Sequence, residues 1–195
     1  MNKRQLLEKY KGERFFKEVY VDGMYAPVLL EKLDVVLDVG ALAGEFSTWI
    51  HNRAGVVYAF EPQPEAFKEL EENIEDFPKV KAFKLAIGGE NGTKKLYKDT
   101  RGGHSLLGQK DDFEEVECKT LATVMKENNI DQVDVLKIDV ENGEMEVFSA
   151  PDFAEIASKI NFIIGEHMNG VVESLLEQNG YTIEKYDHGA IARRQ

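Results

Sequence analysis

Residues 35–44 read VVLDVGALAG, and residues 56–61 read VVYAFE. The first stretch is a short apolar run, typical of a buried strand, and it leads into a turn that contains Gly40 and Gly44. Residues 46–50, FSTWI, follow with the apolar spacing of a helix. The second apolar run ends at Glu61, which lies 23 residues after Asp38. This order and spacing predict a β-α-β unit that binds a nucleotide.

The two glycines and the terminal glutamate have specific chemical uses in such a unit. Gly40 lets the backbone turn sharply beside a ligand, and Gly44 lets the helix begin close to the strand, because neither has a Cβ atom that would clash. The Glu61 carboxylate can accept hydrogen bonds from both hydroxyls of a ribose. Alternatively, Glu61 serves only as an acidic residue beside the beginning of the next helix, where the helix dipole favours a negative charge.

The spacing alone does not choose between NAD(P), FAD and S-adenosylmethionine, because each presents an adenosine to the same crevice. A dinucleotide site needs the pattern GxGxxG, so that a pyrophosphate can rest on the helix N-terminus. Here Glu45 directly follows Gly44 and would repel a pyrophosphate. S-adenosylmethionine has no phosphate and carries cationic groups, which are compatible with Asp38 and Glu45. The sequence therefore favours a methyl donor over a dinucleotide.

Composition limits the classes of partner. The 195 residues, 43% hydrophobic and 31% charged, are typical of one soluble globular domain covering residues 1–195. A net charge of −12 would repel nucleic acid, so we expect a small-molecule partner instead. No apolar run approaches the roughly 20 residues that span a bilayer, and the N-terminus lacks an apolar signal core, which predicts a cytoplasmic protein without a membrane partner. Cys118, the single cysteine, excludes an internal disulfide.

Strands alternate with helices along the chain, which predicts an α/β fold whose mainly parallel sheet has helices on both faces. Residues 1–30 predict a helical extension that packs against the sheet edge or, alternatively, closes over the substrate as a lid. Residues 80–87 predict one strand, and residues 92–119 predict an inserted antiparallel hairpin. Residues 181–192 predict a closing hairpin that places one antiparallel strand in the sheet.

Four segments together resemble the FkbM-type methyltransferases: LDVGALAG at 37–44, YAFEP at 58–62, KLAIG at 84–88 and LKIDVE at 136–141. The resemblance covers about residues 35–150. It implies S-adenosylmethionine-dependent methyl transfer on a Rossmann-like, seven-stranded class I methyltransferase fold. Two positions depart from the family pattern, which usually has Asn at the position of Leu42 and Gly at the position of Asn142.

The resemblance also implies a donor-binding set. Its members are Asp38, Gly40, Ala43, Gly44, Glu61, Ala86 and Ile87. The first four would line the methionine part of the donor, Glu61 would bind the ribose, and the last two would flank the adenine.

Asp139, Glu141 and His167 are the candidate catalytic residues, because reactive groups gather beyond the carboxyl ends of parallel strands. Methyl transfer requires alignment of the acceptor, and an alcohol acceptor also needs a general base. His167 is the best candidate base by its intrinsic pKa, and Asp139 would orient the acceptor hydroxyl or the donor ammonium. Alternatively, Asp139 satisfies only the backbone of its turn, and His167 is a loop residue.

Lys137 lies within an otherwise apolar strand and should find a carboxylate partner or reach solvent. We predict no metal ligands, but Mg²⁺ is an alternative at the carboxylate and histidine groups of the strand ends, together with Glu166 and Asn169. The predicted function is S-adenosylmethionine-dependent methylation of a hydroxyl on a small or sugar-like molecule. An NAD-linked oxidoreductase and a protein that binds the donor without turnover are the two alternatives.

Overall fold

The computed structural model describes residues 3–26, 32–98, 104–105, 113–186 and 189–195. The helices are α1 (Lys3–Lys9), α2 (Arg14–Tyr20), α3 (Glu45–Ile50), α4 (Pro64–Ile74), α5 (Leu121–Glu127), α6 (Glu144–Phe148), α7 (Phe153–Ile156) and α8 (Gly170–Gln178). The strands are β1 (Leu33–Val39), β2 (Ala54–Phe60), β3 (Val80–Phe83), β4 (Ala86–Ile87), β5 (Gly92–Lys98), β6 (His104–Ser105), β7 (Phe113–Lys119), β8 (Val133–Ile138), β9 (Ile160–Gly165), β10 (Tyr181–Tyr186) and β11 (Gly189–Arg194). Among these residues, no helix is both long and apolar enough to cross a membrane.

The main sheet has seven strands in the order β10-β11-β9-β8-β1-β2-β3. β1 pairs in parallel with both β2 and β8, whereas β11 runs antiparallel between β9 and β10. The predicted mainly parallel sheet with one antiparallel C-terminal strand is confirmed. Because the chain proceeds from β1 to one side and later returns to β8 on the other, the order of strands reverses beside β1. Ligands of such sheets bind at this crevice.

Helices cover both faces of the main sheet, and the alternation of side chains along β1 shows why. Leu37 and Val39 point into a core formed with α5 to α8, whereas Val36 points into a core formed with α1 to α4. Successive residues of a strand face opposite sides, so an almost wholly apolar strand supplies both cores at once. This explains why residues 35–39 read as a continuous apolar run interrupted only by Asp38.

The segment of residues 80–87 forms two short strands, so the prediction of one strand is wrong. The Glu61 N–H bonds the Phe83 carbonyl at the end of the β2–β3 pairing, and β4 then pairs with β7 instead. β5 and β7 form the predicted antiparallel hairpin. This hairpin belongs to a second sheet, β4-β7-β5-β6, and does not join the parallel one. Most of the predicted connection at 101–107 lies outside the described residues.

The N-terminal helices pack on α3 and α4 and share one core with residues of the main sheet. Phe16 is buried in the same core as Phe46 and stacks on Tyr10 with ring centroids 4.0 Å apart. The Tyr10 hydroxyl in turn donates to Glu69 at 2.5 Å and accepts from the Asn73 amide at 2.8 Å, both residues of α4. This packing brings α2 and the segment after it to the same edge of the sheet as the ends of β1, β2, β8 and β9.

Candidate functional site

Four parallel strands end at the same level. Val39 of β1 is the register partner of both Phe60 and Ile138, and Ile138 is the partner of Gly165. The next residue after each strand end therefore lies at one edge of the sheet. These four residues are Gly40, Glu61, Asp139 and Glu166.

Gly40 forms the turn that the sequence predicts. Its φ is +76°, and a Cβ atom there would lie 1.9 Å from the Asp139 carbonyl oxygen, so only glycine fits. Gly44 also has a positive φ, +88°, but a Cβ atom there would meet Leu70 of α4 at 2.7 Å. The close approach at Gly44 is thus between α3 and α4, not between the helix and β1 as predicted.

Glu61 is 6% exposed, and its carboxylate is held by two backbone N–H groups. Leu42 donates to Oε2 and Gln63 donates to Oε1, each at 2.9 Å. Burial raises the pKa of Glu61, and these two hydrogen bonds oppose the rise. A carboxylate has about four acceptor positions, so capacity for ligand hydroxyls is left at both oxygens. Glu61 therefore connects the turn after β1 to the beginning of α4 and also lines the cavity described below.

Leu42 adopts a left-handed conformation, with φ at +49°. Residues with a Cβ atom rarely adopt it, and asparagine is strongly favoured over leucine there. The hydrogen bond from Leu42 to Glu61 helps to hold this conformation. Asn142, the other departure from the family pattern, also has a positive φ, +73°. The turn after β8 thus uses asparagine where glycine is usual.

Asp38 lies behind the cavity wall and not in it. It is fully buried, accepts a hydrogen bond from the Ser47 hydroxyl at 2.6 Å, and lies 3.2 Å from the Lys137 ammonium. This ion pair confirms the prediction that the lysine finds a carboxylate partner. Lys137 also donates to the Gly40 carbonyl at 2.6 Å. Burial has the largest single effect and would lower the pKa of Lys137, but the attractions of Asp38, Tyr25 and Asp139 together outweigh it and raise the pKa.

Two further members of the predicted donor-binding set also lie outside the wall. The Ala43 carbonyl accepts a hydrogen bond from Asn73 at 2.8 Å, and Gly44 approaches Leu70. Gly40, Glu61, Ala86 and Ile87 do line the cavity. The seven predicted residues thus divide into four that a ligand can touch and three that support the wall.

The cavity has a volume of about 740 Å³, within the range of small-molecule sites. Its wall combines the ends of β1, β2, β4, β8 and β9 with α2 and the chain after it. The lining residues include Arg14, Glu18, Met24, Tyr25, Gly40, Leu42, Glu45, Glu61, Gln63, Leu85, Ala86, Ile87, Lys137, Asp139, Glu141, Glu166 and His167. No sequence pattern indicates Arg14 or Glu18 as site residues, because only the packing of α2 brings them here.

The predicted catalytic residues meet at the ends of β8 and β9. One polar atom from each of Asp139, Glu166 and His167 lies within 4.8 Å of the other two, and His167 Nε2 is 4.0 Å from Glu141 Oε2. Burial and repulsion by Asp139 raise the pKa of Glu166 to about 7. Asn169 does not join them, because its side chain accepts hydrogen bonds from the first N–H groups of α8.

Glu45 begins α3 and is buried in the cavity wall. Burial raises the pKa of Glu45 to about 8, so its carboxyl group is largely neutral at pH 7 when nothing compensates its charge. A cation bound beside it would favour the ionised form. A neutral Glu45 repels a pyrophosphate less than the sequence suggests. A cationic ligand would favour the ionised carboxylate and would then be attracted by it.

Comparison with known proteins identifies the family. The Methyltransferase FkbM domain model matches residues 38–183. The chain belongs to the FkbM methyltransferase family. This confirms the resemblance that the four sequence segments indicated.

Relatives in this family cover most of the chain. The methyltransferase sdnD of Sordaria araneosa is 24% identical over 92% of this chain and 85% of its own length. The 31-O-demethyl-FK506 methyltransferase FkbM of Streptomyces tacrolimicus is 28% identical over 89% of this chain and 83% of its own length.

Solved structures support the class I methyltransferase fold. The methyltransferase FkbM of Methylobacillus flagellatus KT has a TM-score of 0.61 at 13% identity, covering 91% of this chain and 47% of that one. This chain thus spans about half the length of the Methylobacillus flagellatus protein. The precorrin-6y C5,15-methyltransferase of Geobacter metallireducens GS-15 has a TM-score of 0.53 at 13% identity, covering 87% and 84%.

Proposed function

We propose that this protein transfers a methyl group from S-adenosylmethionine to a hydroxyl group of a small molecule. The observation that carries the proposal is the Glu61 carboxylate, which is held by two backbone N–H groups in the wall of the strand-end cavity. A fixed carboxylate at the end of β2 suits two vicinal ribose hydroxyls, because it can accept from both at once.

The surroundings of Glu61 fit the rest of the donor. Gly40 allows close approach at the end of β1, and Ala86 and Ile87 offer an apolar surface to an adenine. Glu61 suits a cationic ligand, and so does Glu45, because a neighbouring cation would favour its ionised form. The donor supplies a methyl group that is already activated by a positively charged sulfur.

The chain's own task is to align the acceptor and to remove its proton. His167 accepts the hydroxyl proton in this proposal, and Glu141 stabilises the imidazolium that results. Asp139 orients the acceptor hydroxyl from the end of β8. Mg²⁺ is the alternative at this position, because the Asp139, Glu166 and His167 groups lie close enough together to hold a cation.

The name of one relative supports an oxygen acceptor. The Streptomyces tacrolimicus protein is named for a substrate that lacks a methyl group on an oxygen, 31-O-demethyl-FK506. The same site in this chain has the groups that a hydroxyl acceptor needs. The net charge of −12 argues against a nucleic acid acceptor.

The test combines binding with turnover. Isothermal titration calorimetry should show that S-adenosylhomocysteine binds, whereas NAD does not. A methyl-labelled donor should then transfer label to members of a panel of hydroxyl compounds. Tight binding of NAD alone would favour an oxidoreductase. Bound donor without labelled product across a broad panel would indicate a protein that holds the donor without turnover.

A further inference from the structure

We propose that the Tyr25 hydroxyl and the Lys137 ammonium together bind the carboxylate of the donor's amino-acid part. The inference rests on the proposed function, because it concerns the same donor in the same cavity. It adds a binding subsite whose tyrosine lies between α2 and β1, before the residues that the family model matches. Recognition of the carboxylate would let the protein distinguish S-adenosylmethionine from its decarboxylated form.

Tyr25 is a buried residue of the cavity wall with an unused hydroxyl. Only 3% of the residue is exposed, and its ring packs edge-on against Phe46 with ring centroids 4.9 Å apart. Within the described part of the chain, the hydroxyl has no hydrogen-bond partner. A buried hydroxyl without a partner is unfavourable, and a phenol keeps its proton at neutral pH. The Tyr25 hydroxyl is therefore available as a donor to a ligand.

This hydroxyl faces the ends of the strands. Lys137, Asp139 and Glu166 line the same cavity, and the charge of each acts on the hydroxyl, that of Lys137 most strongly. Because these three residues belong to β8 or follow β8 and β9, the hydroxyl points away from α3, on which its ring packs.

Lys137 supplies the second donor. It is 5% exposed and lines the cavity. Its ammonium donates to the Gly40 carbonyl at 2.6 Å and lies 3.2 Å from Asp38 Oδ1. An ammonium group has three N–H donors, so one is left for a ligand. Together with the Tyr25 hydroxyl, this N–H gives two donors beside the turn after β1.

The other basic side chains of the described wall suit a carboxylate at this place less well. The Arg14 side chain is 81% exposed and is already paired with Glu18. His167 follows β9, which is separated from β1 by β8. The remaining charged residues of the wall are acidic and would repel a ligand carboxylate. Among these side chains, Tyr25 and Lys137 are thus the pair that can hold a carboxylate above the end of β1.

The order of the strands places this pair where the amino-acid part of the donor would lie. β1 lies between β2 and β8 in the sheet. With its ribose on Glu61 at the end of β2, the donor would extend across Gly40 towards β8. Lys137 belongs to β8 and contacts the Gly40 carbonyl. The carboxylate is the only anionic group of the donor, so it is the group that an ammonium and a phenol would bind.

The experiment compares two ligands that differ only in this carboxylate. They are S-adenosylhomocysteine and 5′-(3-aminopropylthio)-5′-deoxyadenosine, which is the same compound without the carboxylate. In calorimetric titrations of the full chain, we expect the wild type to bind S-adenosylhomocysteine at least about tenfold more tightly than the analogue. Tyr25→Phe should weaken the binding of S-adenosylhomocysteine by about 10- to 100-fold, because it removes one hydrogen bond to a charged group. It should change the binding of the analogue by less than about threefold, since the analogue lacks that group.

Tyr181→Phe is the matched control, because Tyr181 is 2% exposed and lies outside the cavity wall. It removes the same atom from a buried tyrosine and should leave both affinities within about threefold of the wild type. Thermal melting separates a binding role from a structural one. Tyr25→Phe should melt no lower than the wild type, because its hydroxyl has no partner, whereas Tyr181→Phe should melt lower, because it loses the hydrogen bond to the Ala157 carbonyl.

An unchanged affinity of Tyr25→Phe for S-adenosylhomocysteine would overturn the inference, as would an equal loss for both ligands or equal binding of the two by the wild type. Failure of the proposed function gives a different pattern. A wild type that binds neither ligand would refute donor binding itself, and both proposals with it. A wild type that binds S-adenosylhomocysteine but methylates no hydroxyl compound would refute the proposed methyl transfer and leave the carboxylate subsite in place.

Discussion

Replacing Glu61 with alanine should abolish most of the donor affinity. A hydrogen bond to a charged group contributes about 1.5–3 kcal/mol, so two ribose hydroxyls on this carboxylate would contribute up to about 3–6 kcal/mol. At 1.4 kcal/mol per factor of ten, the affinity should fall by about 10²- to 10⁴-fold. The backbone N–H groups of Leu42 and Gln63 lose the same partner in the free and the bound protein, so their loss affects stability more than affinity.

The assay is calorimetric titration of S-adenosylhomocysteine into the wild type, Glu61→Ala and Glu72→Ala. Glu72 is an exposed residue of α4 outside the cavity wall, so its variant controls for the loss of one negative charge. We expect Glu72→Ala to bind within about threefold of the wild type. The melting temperature of Glu61→Ala should fall, because each unpaired backbone N–H costs about 1–3 kcal/mol, but the protein should stay folded.

The acidity of Glu61 gives this prediction a second readout. Its raised pKa means that the carboxylate gains a proton at a higher pH than an exposed glutamate does. Donor affinity should therefore weaken as the pH is lowered through that pKa, and this dependence should be absent in Glu61→Ala. A variant that binds S-adenosylhomocysteine as tightly as the wild type, while melting as a folded protein, would refute the assignment of Glu61 to the ribose.

Four further changes test other parts of the structure. Lys137→Met leaves Asp38 buried without its cation and should lower the free energy of unfolding by about 3–5 kcal/mol, which corresponds to a fall in melting temperature of about 6–20 °C. Adding Asp38→Asn should restore part of the lost stability. Leu42→Asn should raise the melting temperature by about 2–4 °C, because asparagine tolerates positive φ and removes about 1 kcal/mol of strain. Because the pKa of Glu45 is about 8 in the folded protein against 4.5 ordinarily, the folded state binds this proton more tightly. Stability should therefore fall as the pH rises from about 5 to 8, by up to about 1.4 kcal/mol per pH unit for this group. In Glu45→Gln, the melting temperature should depend less on pH over this range. Dialysis against EDTA should leave methyl transfer undiminished; lost activity that returns with Mg²⁺ would establish a metal at the ends of β8 and β9 instead.

Local pattern in the sequence was enough for the fold and for part of the site. The apolar runs, the turn at Gly40 and the acid at the end of β2 are separated by fixed numbers of residues, and these separations follow from the lengths of a strand, a turn and a helix. The same local information placed Asp139 and Glu141 after β8. It failed at residues 80–87, because whether a short strand pairs with β2 or with β7 depends on partners far away in the sequence.

The remaining features of the site depend on distances that no local pattern contains. Asp38 looked like a donor ligand, but the register of β1 against β8 sets it opposite Lys137 and behind the wall. Glu18 lies more than 100 residues before Asp139 and Glu166 in the sequence. It lines the same cavity as these two residues only because α2 packs on α3.

By itself, the sequence determined the order of the elements, the turn that only glycine can make, and the family. Only the tertiary structure decided which acidic groups share one cavity, and that Lys137 in its wall is paired with Asp38 behind it. The physical reason is that secondary structure follows from the preferences of neighbouring residues, whereas burial and electrostatic interaction depend on how closely separate segments approach in space.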